Sequence, residues 1–380
     1  MNTVESTIQS PGTSAYRMCT RCIMDTTDPG IVFDVAGVCN HCRRFDAAAA
    51  RRLIPPTERA SRLAALQERI KRDGVGKEYD CIIGVSGGVD STYVAYLTHE
   101  LGLRPLAVHF DNGWNSELAV ANIEKTLKTL NIDLSTYVVD WPEFRDLQLS
   151  FLRASTPDGE VPTDHAIVAL LYQTAVKHGL KHILLGVNVN TEAIMPLMWG
   201  YGYADFRYIK AIQHRFGKLP LKTFPRYTLP QLFQYMFARR IQIVPILDFV
   251  DYDKESAMRT IQERLGWVYY GGKHYESIYT RFFQSYVLPI KFNIDKRRAH
   301  YSNLVLSGQM TRQAACAKML EPVYSAQGLK EDRAYAIKKL GLTEGEFDAI
   351  MALPCKTFLD YPNSFAWIER AKRVFRRPHW

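Results

Sequence analysis

Two clusters in this chain carry residue types at spacings that do chemistry. The first is Cys19-Thr-Arg-Cys22, followed after sixteen residues by Cys39-Asn-His-Cys42. A C-x2-C pair sets two thiolates on one side of a tight knuckle, and two knuckles complete a tetrahedron around a metal ion. Structural Zn²⁺ is the expected ion, because four closed sulfur ligands leave no open coordination position. A redox pair or an iron–sulfur cluster is the competing reading, and His41 is an alternative ligand. The second cluster is Ser86-Gly87-Gly88-Val89-Asp90-Ser91.

This second cluster lies between an apolar run, Tyr79 to Val85, and a helix-forming run, Thr92 to Leu97. Gly87 and Gly88 have no Cβ to keep an anion from the backbone N–H groups. A helix starting near Val89 adds its unpaired N–H groups and the positive end of its dipole. Ser86 and Ser91 add hydroxyl donors. The chemistry predicted is phosphate binding. The loop is not the G-x4-G-K-[ST] type, since no lysine follows the glycines. Asp90 would be repelled by phosphate unless Mg²⁺ or a helix-capping bond compensates, and we assign it to a Mg²⁺-dependent site.

The elements that position this loop follow from the pattern around it. Leu106–Phe110, Leu134–Val139, His182–Val187 and Ile243–Leu247 read as further strands. Residues 115–130, 142–154 and 164–178 have helical periodicity. Alternating strands and helices predict an α/β fold with a parallel, Rossmann-like sheet. Ligands in such sheets sit at the carboxyl ends of the strands, so loops 86–91, 111–114 and 186–192 converge on one crevice. Asp111 is then a candidate adenosine contact, and Glu192 a candidate for Mg²⁺ or the reacting group. Either also serves as a plain turn or cap residue. The predicted organisation is a flexible lead (1–17), a four-cysteine zinc-ribbon module (18–50), a linker helix (51–76), the nucleotide-binding domain (77–250) and a mainly helical C-terminal region (251–380).

Composition bounds the rest. In 380 residues, 47% are hydrophobic and 23% charged, which excludes a disordered chain, a collagen-like repeat and a coiled-coil rod. No apolar run approaches the ~18–20 residues of a membrane span. The first seventeen residues have neither the basic start nor the apolar block of a secretory signal. A cytoplasmic protein with reduced thiols is expected. The net charge of +9 favours anionic partners or simply solubility.

The C-terminal half holds Gly271-Gly272-Lys273-His274-Tyr275-Glu276-Ser277, then Asp295-Lys296-Arg297-Arg298-Ala299-His300, then Ser307-Gly308-Gln309-Met310-Thr311-Arg312. The S-G-G-V-D-S loop resembles the signature of the PP-loop ATP pyrophosphatases, which hold the β,γ-pyrophosphate there and cleave ATP between the α and β phosphates. Together with the C-x2-C pairs and the three C-terminal motifs, it resembles the N-acetyl sugar amidotransferase family of bacterial surface-glycan (lipopolysaccharide O-antigen) biosynthesis. The resemblance runs from about Met18 to about residue 355.

It implies an enzyme that turns an N-acetyl group of a nucleotide-linked, acidic sugar into an acetamidino group. ATP would be consumed with the help of Mg²⁺, and AMP and pyrophosphate released. Lys273, Lys296 and Arg297 are then candidates to hold the departing pyrophosphate, His274 and Glu276 to move protons, and Arg281 to contact a sugar uronate. Position 2 is Asn, and Cys81, Cys316 and Cys355 lack a glycine-flanked nucleophile turn. The resemblance therefore implies ammonia from a separate glutaminase, with a channelling barrel subunit. The alternative is a tRNA-thiolating PP-loop enzyme, in which the basic tail Arg370 to Arg377 would meet phosphate backbone. No C-x2-C pair follows the loop to carry sulfur, and no nucleic-acid partner is expected.

Overall fold

The apolar runs fold as five strands: β1 (Cys81–Gly84), β2 (Pro105–Asp111), β3 (Asp133–Val138), β4 (His182–Leu185) and β5 (Gln242–Pro245). All pair in parallel, in the order β3-β2-β1-β4-β5. The structure, a computed structural model, describes residues 15–272 and 275–375. Strand side chains alternate between faces, and that alternation divides the core. Cys81 and Ile83, Ala107 and Leu184 turn to one face, under the helices Pro56–Asp73, Val89–Glu100, Glu117–Leu130 and Lys254–Leu265. Ile82, Leu106, Val108 and Ile183 turn to the other, against Leu171, Tyr172 and Ala175 of the helix Val161–Lys177. Covering both faces is what allows β1 to be apolar throughout. The parallel α/β sheet expected from the sequence is present.

β1 lies at the point where strand order reverses, with β2 on one side and β4 on the other. A crevice opens at the carboxyl end of such a strand, and the Ser86–Ser91 loop leaves β1 there. Above it stands the helical C-terminal region, with helices Arg297–Leu306, Arg312–Leu320, Ala326–Leu340 and Glu344–Ala352. Thr311 caps the second of these by accepting from the Ala314 N–H at 3.1 Å. Among the described residues no helix is long and apolar enough to cross a membrane.

The sequence suggests a small hairpin between the two cysteine knuckles. The structure keeps only one bridge there, Phe33 to Cys39. Asp34 dominates the segment instead: its Oδ1 accepts from Ala36 and Val38 N–H groups, both at 2.9 Å, and tightens a turn that Gly37 completes at φ +78°.

His165, on the helix Val161–Lys177, is a buried titratable group with a readable consequence. Its Nδ1–H donates to the Tyr203 carbonyl at 2.7 Å, and its Nε2 accepts from the Tyr227 N–H at 3.3 Å. Burial pushes its pKa down to about 4. An unfolded chain takes up this proton near pH 6.5, so stability is lost as pH falls through the interval between the two values. The expected loss from this group is about 2 kcal/mol at pH 5. His165→Gln should show a correspondingly smaller difference between urea melts at pH 7 and pH 5.

Candidate active site

The phosphate loop is shaped by its own hydroxyls. Ser91 Oγ accepts from the Ser86 N–H and donates to the Gly88 carbonyl, each at 3.2 Å, and Ser86 Oγ accepts from the Gly88 N–H at 3.3 Å. Gly87 has φ +80°, and a Cβ there would lie 2.6 Å from the Ala119 carbonyl oxygen. Only glycine fits that position. Its own carbonyl accepts from Trp267 Nε1–H at 2.9 Å. Gly88 is closely approached by side chains: a Cβ would lie 3.2 Å from Tyr270 Oη and 3.3 Å from Glu276 Oε1. Tyr270 also bonds to Glu276 and to the Val89 N–H. The Glu276 carboxylate thus stands at the start of the helix Val89–Glu100, where an anion is favoured.

Asp90 is in the first turn of that helix. Tyr252 donates its hydroxyl hydrogen to Asp90 Oδ1. Burial, and then the neighbouring Asp90 and Glu192 carboxylates, raise the Tyr252 pKa, so the hydroxyl stays a donor. Gly186, just past β4, packs so closely that a Cβ would lie 2.9 Å from Asp90 Cβ. Asp90 follows β1 and Glu192 follows β4, on the two sides of the switch point, and both carboxylates raise the pKa of the same tyrosine. Two carboxylates at the rim of a phosphate cradle suit a divalent cation with oxygen ligands. Asp111 ends β2, and its Oδ1 accepts from the Gly113 N–H at 2.8 Å and from Asn115 Nδ2 at 3.2 Å.

The other sequence candidates are placed elsewhere or engaged. Lys296 pairs with Glu160 at 2.8 Å, and Gln284 donates to the same carboxylate. Arg297 pairs with Asp295 at 2.8 Å. Arg281 grips Asp332 with two bonds of 2.6 and 2.7 Å, and its guanidinium lies over Tyr275 and Tyr324. Lys273 and His274 lie outside the described residues. Four contributors were not singled out from sequence: Tyr252, Tyr270, Trp267 and His109. His109 Nδ1–H donates to the Val85 carbonyl at 2.9 Å and Nε2 accepts from Asn115 at 3.1 Å, joining β1's end to the loop after β2. The available signal for Tyr252 was its place just beyond β5, at the same edge as the other loops.

The four cysteines converge as their spacing predicts. Their sulfur atoms lie within 4.8 Å of one another, and all four residues are buried. Cys19–Cys42, Cys22–Cys39 and Cys39–Cys42 sulfur pairs are each 3.7 Å apart. A tetrahedron with Zn–S bonds of ~2.3 Å has edges of about 3.8 Å, so the set fits zinc. Backbone N–H groups of Arg21, Cys22 and Cys39 point at Cys19 Sγ, at 3.3 to 3.5 Å, as suits thiolates. His41 is not among the ligands: its Nε2 meets Asp28 at 2.6 Å. The module is fastened to the C-terminal region. Arg312 donates to the Cys19 and Cys22 carbonyls at 2.8 and 3.0 Å, and Arg298 pairs with buried Asp25 at 2.9 Å.

That C-terminal region also reaches the crevice. Residues Asn115 and Ser277 form a bridge, with Ser116 N–H donating to the Glu276 carbonyl and Ile278 N–H to the Trp114 carbonyl, each at 2.8 Å. Residues 276–374 match the family model described as LPS biosynthesis protein WbpG-like, C-terminal domain. The match spans about a quarter of the chain. Glu276, Arg281, Lys296, Arg297 and Arg312 all lie in the matched stretch, which begins at the bridge over the loop after β2. Among solved structures, the chain is similar to an NH3-dependent NAD synthetase from Campylobacter jejuni, at 14% identity and a TM-score of 0.29, covering 56% of this chain and 94% of that one. It is also similar to an NMN synthetase from Francisella tularensis, at 16% identity and a TM-score of 0.26, covering 58% of this chain and 99% of that one. No curated protein matches the chain.

Proposed function

We propose that the protein is an ATP-dependent amidotransferase that converts the N-acetyl group of a nucleotide-linked, acidic sugar to an acetamidino group, in bacterial surface-polysaccharide synthesis. The observation that carries this reading is the S-G-G-V-D-S loop at the strand-order reversal, with Tyr252 bonded to its Asp90. The WbpG-like domain that roofs the crevice supports the surface-polysaccharide setting.

An amide carbonyl is a poor electrophile, and its oxygen a poor leaving group. Attack by the amide oxygen on the α-phosphorus of ATP solves both problems. An O-adenylyl imidate forms and pyrophosphate leaves. Ammonia then adds to the imidate carbon and AMP departs, taking the former amide oxygen. The glycine loop and the start of the helix Val89–Glu100 hold the outer phosphates through backbone N–H groups, a preorganised set of dipoles for the charge that develops there. Tyr270 and Glu276 turn aside to admit them. Asp90 and Glu192 would hold Mg²⁺, which supplies charge neutralisation for the phosphates. Glu276, once displaced, is the base assigned in this proposal to receive a proton from the attacking ammonia. Lys273 and His274 precede it in sequence and complete this set in the proposal.

Ammonia is supplied by a separate glutaminase partner, delivered through a barrel subunit. The test is incubation of the pure chain with ATP, Mg²⁺, nucleotide-sugars bearing an N-acetyl group, and either ammonium or glutamine. With ammonium, AMP, pyrophosphate and a product in which O is replaced by NH are expected. With glutamine alone, no product is expected. ADP and orthophosphate as the nucleotide products would overturn the reading.

A further inference from the structure

The net charge of +9 is concentrated in one place. Residues 206–247 hold eight Lys or Arg and no Asp or Glu, so this segment supplies all but one of the excess charges. It crosses the outer side of the helix Val161–Lys177, the layer that covers one face of the sheet. His165 of that helix stacks with Phe206, Phe224 and Tyr227, and Tyr172 with Tyr235. These rings fasten the segment and leave its cations outside. None of its residues belongs to the loops after β1, β2 and β4 that form the crevice.

Two helical stretches carry the surface. The helix Phe206–Phe216 buries Tyr208, Ile209, Ile212 and Gln213 and turns Arg207, Lys210, His214 and Arg215 outward. Lys218 and Lys222 follow in an exposed loop. The second stretch is the helix Leu229–Phe233, continued by the wider π-type turn Gln234–Ala238. Its inner side, Leu232 and Tyr235, packs on the core. Leu229, Phe233 and Phe237 recur every fourth residue on the outer side and are 36%, 57% and 49% exposed. Arg239 and Arg240 come next, both exposed. The stretches meet where the Arg226 guanidinium lies over the Phe206 ring, at 5.7 Å, so the cations and the apolar ridge share one surface.

Elsewhere on this chain surface cations have found acids: Arg21 pairs with Asp46, Arg62 with Glu58, and Arg333 with Asp348. Among the described residues none of the eight cations of this segment forms an ion pair. Glu346 borders them and feels the charge of Lys218, but it is spent as the capping partner of Thr343. A second copy of the chain would set eight cations against eight, which repel. A nucleic-acid base stacks on an open ring face, whereas the Phe233 and Phe237 centroids are 4.3 Å apart and each ring covers a face of the other. Cations spread over two helices around a phenylalanine and leucine ridge suit a plane of many small anions with acyl chains beneath it. We propose that this face binds the surface of an anionic phospholipid bilayer, with Leu229, Phe233 and Phe237 in the headgroup boundary and the cations on lipid phosphates.

The full chain is sedimented with vesicles of phosphatidylcholine alone and of phosphatidylcholine mixed equally with phosphatidylglycerol. It is expected to pellet with the mixed vesicles, to stay in solution with the neutral ones, and to be released by added salt. Arg239→Glu combined with Lys210→Glu should weaken binding about tenfold or more. Phe233→Ser combined with Phe237→Ser should weaken it about tenfold. Arg259→Glu combined with Arg264→Glu changes the net charge equally on the helix Lys254–Leu265, over the other face of the sheet, and should bind as the unaltered chain does. Phe233→Trp should add tryptophan emission that moves to the blue on the mixed vesicles only. All these positions are exposed, so melting temperatures should stay unchanged. The proposal is overturned if the chain stays in solution with the mixed vesicles, if the two charge-reversed pairs lose binding equally, or if the Phe233→Trp emission does not move. Tighter binding to transfer RNA than to the mixed vesicles at equal phosphate would overturn it in favour of nucleic acid, and a dimer abolished by Phe233→Ser in favour of a second copy.

Discussion

Asp90→Asn should lower AMP formation by roughly 10²–10³-fold while the melting temperature holds. The two effects differ because the carboxylate's charge is placed for phosphate chemistry, and its hydrogen bond survives the change. Its Oδ1 takes the Tyr252 hydroxyl hydrogen, which asparagine Oδ1 can also accept. Removing the charge weakens the hold on Mg²⁺. The Mg²⁺ concentration for half-maximal rate should rise in the same variant. Tyr252→Phe is the companion test: it frees Asp90 without changing its charge, and a smaller loss, about tenfold, is expected. An Asp90→Asn protein with more than half the original rate would contradict the assignment.

Cys39→Ser should cost the chain its zinc and most of its cooperative folding, beyond the N-terminal module itself. Structural zinc sites contribute on the order of 10 kcal/mol or more of metal binding to folding. Here the knuckle backbone is also a docking surface. Arg312 is bonded to two knuckle carbonyls, Arg298 to the Ile23 carbonyl and to Asp25, and Ser302 Oγ accepts from the Ile23 N–H. Losing the metal would leave these partners buried and unsatisfied on the helices Arg297–Leu306 and Arg312–Leu320, each unmet group adding ~1–3 kcal/mol to the loss. Metal analysis should fall from one zinc per chain to none, with a broad, early thermal transition. A metal-free Cys39→Ser chain that melts as sharply as the original would contradict this.

What was legible in the sequence is what local rules determine. The strand cores, the glycine loop and the convergence of four cysteines each follow from spacing within a few tens of residues. Thr311 could be read as a cap because its partner is three residues away. The cations were harder. Lys296 and Arg281 stand in motifs that look made for an anion, yet their acids are 136 and 51 positions away in the chain. A linear reading sees the positive charge and not the carboxylate that packs against it. Tyr252 and Tyr270 escaped notice for a related reason: each acts on the loop across the fold, as a hydroxyl within an aromatic stretch that otherwise reads as core.

The most direct test of the central claim follows one oxygen atom. The acceptor is prepared with ¹⁸O in its acetamido carbonyl and turned over with unlabelled ATP and ammonium, and the nucleotide product is weighed by mass spectrometry. If the amide oxygen attacks the α-phosphorus, AMP carries one ¹⁸O and pyrophosphate carries none. Label found in pyrophosphate, in orthophosphate or in water, with AMP unlabelled, would contradict the account.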